Sequence, residues 1–223
     1  MGQHQRQAWF GCACYPSHIC RFIPSLPGYV YAMKDGKNRF NVLDGMDGTN
    51  GIPAVYVNLF LSNTATLDVG GKKVTLSQQT NYPWDGDITI NIDKSTAGEF
   101  ALKVRIPGWL KGSVVPAPSD LYRYTDNKRL NFTYTVNGGT SSAKASSADG
   151  YLVLTRKWKK GDKIQLHFDM EPRIVRANSK VEADRGMVAI ERGPLVYCAE
   201  HPDNQFDIFS GLVNQDPTFS LGK

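Results

Sequence analysis

Three of the four cysteines and one of the four histidines fall between positions 12 and 20, in Cys12-Ala13-Cys14-Tyr15-Pro16-Ser17-His18-Ile19-Cys20. These types can do chemistry. A thiolate is a nucleophile and a soft metal ligand, and an imidazole serves as ligand or base. The spacing alone is a weak zinc signal, because a structural site needs a second ligand pair after a spacer. His18 could complete a metal site with Cys12 and Cys14. The only later cysteine, Cys198, stands in an apolar run and reads as a small core residue.

A second constellation, Tyr82-Pro83-Trp84-Asp85-Gly86, has the composition of a sugar platform. Aromatic faces stack on the apolar faces of sugars, and a carboxylate accepts from hydroxyls. The same residues also suit a strand-to-turn transition with the aromatics in the core, and that reading is favoured. Asp47, Asp85, Asp87 and Asp162 all stand close to glycines, where acidic residues favour turns rather than calcium binding.

The elements that must position these groups are short strands. Val55, Val57, Leu59 and Leu61 alternate with Tyr56, Asn58 and Phe60, which predicts a strand over 54–61. Residues 65–69 and 72–79 flank Gly70-Gly71, a dipeptide that accepts positive φ at both turn positions, and predict a hairpin. Ile88, Ile90 and Ile92 alternate with Thr89 and Asn91. In 99–107, Phe100, Leu102, Val104 and Ile106 point one way and Ala101, Lys103 and Arg105 the other, as in a sheet buried on one side, with Trp109 capping the core. Further strands are predicted over 29–33, 130–136, 151–156, 163–170, 175–177, 188–191 and 194–199, the pair 151–156 and 163–170 being joined by Lys159-Lys160-Gly161-Asp162. Pro16, Pro24 and Pro27 limit a helix over 17–26 to about two turns. Residues 40–53 and 141–148 read as loops. Many short strands with Gly- and Asn-rich turns indicate an all-β, antiparallel β-sandwich of jelly-roll type.

Composition excludes several partners. The 223 residues carry a net charge of +5, but the basic residues are scattered without a basic helix or run, so nucleic acid is not expected. No apolar run is long enough to span a bilayer, so a membrane partner is not expected either. The polar first residues show no signal peptide, and the compartment stays open.

The string Trp9-Phe10-Gly11-Cys12-Ala13-Cys14-Tyr15-Pro16-Ser17-His18, with Gly28-Tyr29-Val30-Tyr31-Ala32, Val57-Asn58-Leu59-Phe60, Tyr82-Pro83-Trp84-Asp85-Gly86, 102–109 (Leu-Lys-Val-Arg-Ile-Pro-Gly-Trp) and Arg192-Gly193-Pro194-Leu195-Val196-Tyr197, resembles the β-L-arabinofuranosidase families, glycoside hydrolase families 127 and 146. Several unusual strings recur in the family order and cover most of the chain.

The resemblance places the family nucleophile, also a zinc ligand, at Cys14. It places a second zinc-binding cysteine at Tyr15 and an asparagine at His18, which are two departures. It implies that the acid/base glutamate and the remaining zinc ligands belong to an upstream (α/α)6 barrel. The chain is therefore expected to be the C-terminal portion of such an enzyme. Residues 1–27 would be a remnant of the barrel end, 28–170 the first β-sandwich and 171–223 an incomplete second one. No cofactor is expected in this chain, although the resemblance implies zinc in intact members. The expected function is that of a non-catalytic portion, inactive alone. The alternatives are a carbohydrate-binding module for arabinose-containing glycans, with Tyr82, Trp84 and Asp85 as contacts, and a structural module that dimerises through 171–223.

Overall fold

A computed structural model describes residues 14–36, 51–117, 119–141, 150–200, 203–205, 207–208, 210–214 and 217–220. Cys12, Asp47 and most of the two predicted loops lie outside the described residues. In chain order the elements are α1 (Cys14–Ser25), α2 (Pro27–Val30), β1 (Tyr31–Lys34), β2 (Ala54–Val57), β3 (Asn63–Val69), β4 (Lys72–Thr80), β5 (Asp87–Ser95), β6 (Glu99–Arg105), β7 (Tyr122–Tyr124), β8 (Phe132–Val136), β9 (Gly139–Ser141), β10 (Tyr151–Lys157), β11 (Lys163–Phe168), β12 (Pro172–Ala177), β13 (Ala189–Arg192) and β14 (Leu195–Tyr197). A 3-10 turn, Gly108–Lys111, follows β6.

These strands form three sheets with orders β1-β2-β6-β10, β3-β4-β5-β11-β8-β9 and β14-β13-β12-β7. The chain is all-β, as its period-two alternation requires. One pairing departs from the antiparallel expectation: β2 runs parallel to β6, with Val57 opposite Val104. The first two sheets share one core. Val55, Phe100, Leu102, Val104 and Leu152 from the four-stranded sheet meet Leu76, Ile88, Ile90, Ile92, Ile164 and Phe168 from the six-stranded one, all essentially without solvent exposure. Trp109 closes the rim of this core, as its position after the strand suggests.

The hairpin β3–β4 forms as predicted, with Gly70 and Gly71 at φ +61° and +81°. Gly86 is required for a different reason. A Cβ there would collide with the Phe168 carbonyl oxygen, so only glycine lets the two backbones approach. The turn Lys159–Asp162 is held by the Asp162 carboxylate, which accepts from the Lys159 N–H at 2.7 Å. It does not fold β10 and β11 into a hairpin. It carries the chain from the four-stranded sheet to the six-stranded one.

Several expectations are corrected. The predicted strand over 54–61 stops at Val57, and Phe60 rather than Leu59 or Leu61 enters the core, because the chain leaves the sheet there and the alternation no longer applies. The strand over 29–33 begins at Tyr31, after a helical turn opened by Pro27. The N-terminal helix starts at Cys14 and runs for 12 residues. Pro16 is tolerated because the first-turn N–H groups lack intrahelical partners in any case. Lys103, expected on a solvated face, is 0% exposed. Its ammonium lies 4.7 Å from the Tyr56 ring centre and 5.3 Å from that of Tyr151, two rings in edge contact. A long apolar stem ending in a cation–π contact lets a lysine occupy a covered face. Cys198, expected in the core, is exposed, because β14 is an edge strand that ends at Tyr197.

The third sheet was legible only in part. β12, β13 and β14 match the later predicted strands, but their fourth partner, β7, comes from a region with no clear periodicity. β7 pairs with β12, Val175 facing Tyr124, so a strand from within 28–170 completes the sheet built by 171–223.

Candidate functional site

Helix α1 presents every described side chain from Tyr15 to Ser25 to solvent. Tyr15 is 72% exposed, and Ile19, Phe22 and Ile23 are more than half exposed. His18 and Cys20 are exposed too. The helix carrying Cys14 therefore does not bury its apolar side chains on the sandwich. Tyr15, at the position the resemblance gives to a zinc-binding thiolate, offers a phenol in place of that soft donor. Among the described residues no group of three His, Cys, Asp or Glu side chains converges on a metal position. The donors described do not fit a thiolate-rich zinc site.

The Tyr82–Asp85 constellation does not form one surface. The Tyr82 ring packs edge-on against Phe60 and Phe168, at 5.5 and 6.4 Å between ring centres, and its hydroxyl accepts from the Trp109 indole N–H at 3.4 Å. Burial is the main reason that its hydroxyl pKa is raised. Trp84 turns outward, 64% exposed, and its carbonyl accepts from the Arg192 guanidinium at 2.8 Å. Asp85 accepts from the Asp87 N–H at 3.1 Å, a turn-forming contact. Tyr82 thus lines the rim of the core, while Trp84 and Asp85 shape the turn.

The polar groups that do cluster lie elsewhere. On the third sheet Arg173, only 5% exposed, donates to both oxygens of Asp126 at 2.7 and 3.2 Å, and its guanidinium carbon lies 3.5 Å from the Tyr124 ring centre. The Tyr124 hydroxyl donates to Glu191 at 2.9 Å. Burial pushes the Tyr124 hydroxyl pKa well up, with the Glu191 carboxylate adding to it. Burial also raises Glu191, opposed by the Tyr124 hydrogen bond. Partial burial would raise Asp126, but the Arg173 hydrogen bonds and the Lys128 N–H outweigh it and hold this carboxyl below its usual value. Glu191 reaches a cleft of about 480 Å³ between this sheet and the sandwich, which Asn58, Tyr82, Arg105 and Trp109 also line. Of these only Tyr82 stood out in the sequence as a ligand-contact candidate. The others belong to two separate strands, the residue just after a third and a turn, with no spacing to connect them.

Residues 54–170 match the model of the GH127 β-L-arabinofuranosidase middle domain, and 172–222 match the glycoside hydrolase family 127 C-terminal domain. The chain belongs to glycoside hydrolase family 127. It is 36% identical over 208 residues to a non-reducing end β-L-arabinofuranosidase of Bifidobacterium longum subsp. longum, covering 92% of this chain and 26% of that protein. Among solved structures it is similar to a GH127 β-arabinofuranosidase (TM-score 0.79, 52% identity, 98% of this chain and 31% of that one). It is also similar to a GH127 β-L-arabinofuranosidase from Geobacillus stearothermophilus T6 (TM-score 0.64, 30% identity, 87% and 25%). The chain spans about a quarter of the curated relative's length. The family membership anticipated from the recurring strings is thus established, and the two family models match from residue 54 onward.

Proposed function

We propose that these 223 residues are the non-catalytic β-sandwich portion of a β-L-arabinofuranosidase-like glycoside hydrolase, and that they do not cleave arabinofuranosides by themselves. The observation that carries this reading is the solvent exposure of the whole described face of α1. Glycoside hydrolysis needs two groups held on either side of one bond at a defined separation. A helix that packs none of its described side chains against the sandwich is not held by it against a second catalytic group. The family match over the middle and C-terminal domains supports the same assignment.

Incubation of the chain at high concentration with an aryl β-L-arabinofuranoside tests it. The expected result is no turnover above buffer. Turnover that disappears in Cys14→Ser would overturn the proposal. Metal analysis after dialysis is expected to find less than stoichiometric zinc, since Tyr15 replaces a thiolate. One retained equivalent would contradict that expectation.

A further inference from the structure

The cleft between the sandwich and the third sheet holds a set of polar groups whose hydrogen-bonding capacity is partly unspent. Parallel strands β2 and β6 end side by side, so Asn58 and Arg105, the residues at those ends, fall on one lip of the cleft. Glu191, Pro194 and Val196 form the other lip. The Asn58 side-chain carbonyl oxygen accepts from the Tyr151 hydroxyl at 2.7 Å, and its NH₂ has no acceptor among the described residues. The Tyr82 hydroxyl accepts from Trp109, and its own proton has no acceptor among the described residues. The Arg105 side chain is exposed and makes no hydrogen bond or ion pair with a described residue. One Glu191 oxygen takes the Tyr124 hydroxyl and the other has no donor among the described residues. Between the lips the wall is apolar, with Leu59, Pro107, Val114 and Val115.

This combination selects among ligand classes. A purely apolar ligand would strand four polar groups, which is costly in a partly enclosed space. A polyanion is disfavoured because a carboxylate stands opposite the single arginine. A ring with hydroxyls that both donate and accept, and with C–H faces between them, satisfies the donors on one lip, the acceptor on the other and the apolar wall. The volume suits a ligand of one or two rings. We propose that this cleft binds a saccharide through Asn58, Tyr82, Arg105 and Glu191. This site goes beyond the assignment of the chain as a non-catalytic portion, and it is read by binding alone, so its outcome does not depend on whether the chain hydrolyses anything.

The test is a calorimetric or NMR titration of the full chain with two probes, a neutral β-L-arabinofuranosyl disaccharide and the acidic digalacturonate. Saturable binding of the neutral probe is expected. It should weaken about tenfold or more in Arg105→Ala and in Glu191→Gln, the scale of one lost charge-assisted hydrogen bond, with the melting temperature of Arg105→Ala unchanged. Should Arg105→Ala fail to fold, Arg105→Lys keeps the charge but loses the planar fork, and an intermediate loss is expected. A preference for the neutral disaccharide supports recognition of hydroxyls and ring faces, and a preference for digalacturonate would overturn it, since Glu191 shares the cleft with Arg105. Equal binding of both probes supports recognition of hydroxyls. No saturable binding of either probe, or binding insensitive to both substitutions, overturns the proposal.

Discussion

The sandwich and the third sheet are held together by different physics. In the sandwich the inner faces of two sheets bury Val, Leu, Ile and Phe with almost no exposure, and burial of apolar area dominates its stability. In the third sheet the buried apolar side chains are Ile174 and Val175, and polar side chains make the joins. Arg173 to Asp126, Tyr124 to Glu191 and Tyr122 to Asp184 each tie β7 or the segment after it to β12, β13 or the turn between them. Exposed ion pairs, Lys128 with Glu171 and Lys180 with Asp120, add to the strap. Such contacts fix geometry, but desolvation offsets much of their energy, and the Arg173 Nη1 is buried with no partner among the described residues. The difference teaches where the chain should open first. The sandwich should unfold with the global transition, and the third sheet should open locally below it.

The largest expected effect lies in the sandwich. Leu102→Ala removes a fully buried side chain and should cost about 3–5 kcal/mol, measured by denaturant unfolding of the whole chain. A cost below about 1 kcal/mol would mean that this core does not set global stability.

Next is Asp126→Asn, which leaves the Arg173 guanidinium buried beside a neutral group. The expected loss is about 2–3 kcal/mol, confined to one region. Amide exchange should accelerate in β7, β12 and β13 while β4 and β5 keep their protection. Equal acceleration in both regions would show that the two sheets unfold as one unit, and the comparison would fail.

The pH response sharpens the same contrast. Asp126 has a lowered folded pKa, so its contribution is present above the ordinary aspartate value and is lost as pH falls through the folded one. Glu191 has a raised folded pKa, chiefly through burial. Its ionisation therefore opposes folding at neutral pH, and acidification through that folded value relieves the penalty. Protection of the third sheet should rise slightly on mild acidification and fall at lower pH. In Glu191→Gln the initial rise should be absent. A rise that persists in this variant would assign it to another group.

The smallest effect should come from deleting residues 1–27. Helix α1 buries none of its described side chains, so a chain beginning at Gly28 should lose less than about 1 kcal/mol and keep a cooperative melt and a β-rich circular dichroism spectrum. Insolubility or a non-cooperative melt would place the N-terminal stretch in the core.

Much of the sandwich was legible because its strands obey one local rule. Ile88, Ile90 and Ile92 face inward because period-two side-chain geometry leaves no other choice once one face is buried. The hairpin at Gly70-Gly71 was legible for the same kind of reason, a local backbone requirement. β7 was not. Tyr122, Arg123 and Tyr124 form a strand only because β12 offers them an edge, and nothing within three residues announces that. The cleft was hidden likewise, since Asn58, Arg105 and Glu191 gain a common purpose only from the packing of separate sheets.

The sequence by itself determined the all-β class, the faces of the central strands and, through its recurring strings, the family. Each of these follows from local geometry or from a pattern that is contiguous in the chain. The tertiary structure alone decided which faces are covered and which side chains meet. Lys103 shows the division most plainly. Alternation put it correctly on the face opposite Leu102 and Val104, but whether that face meets water depends on Tyr56 and Tyr151, 47 and 48 residues away in opposite directions along the chain. Local periodicity fixes the direction of a side chain, and its environment is set by long-range packing that no short window of sequence contains.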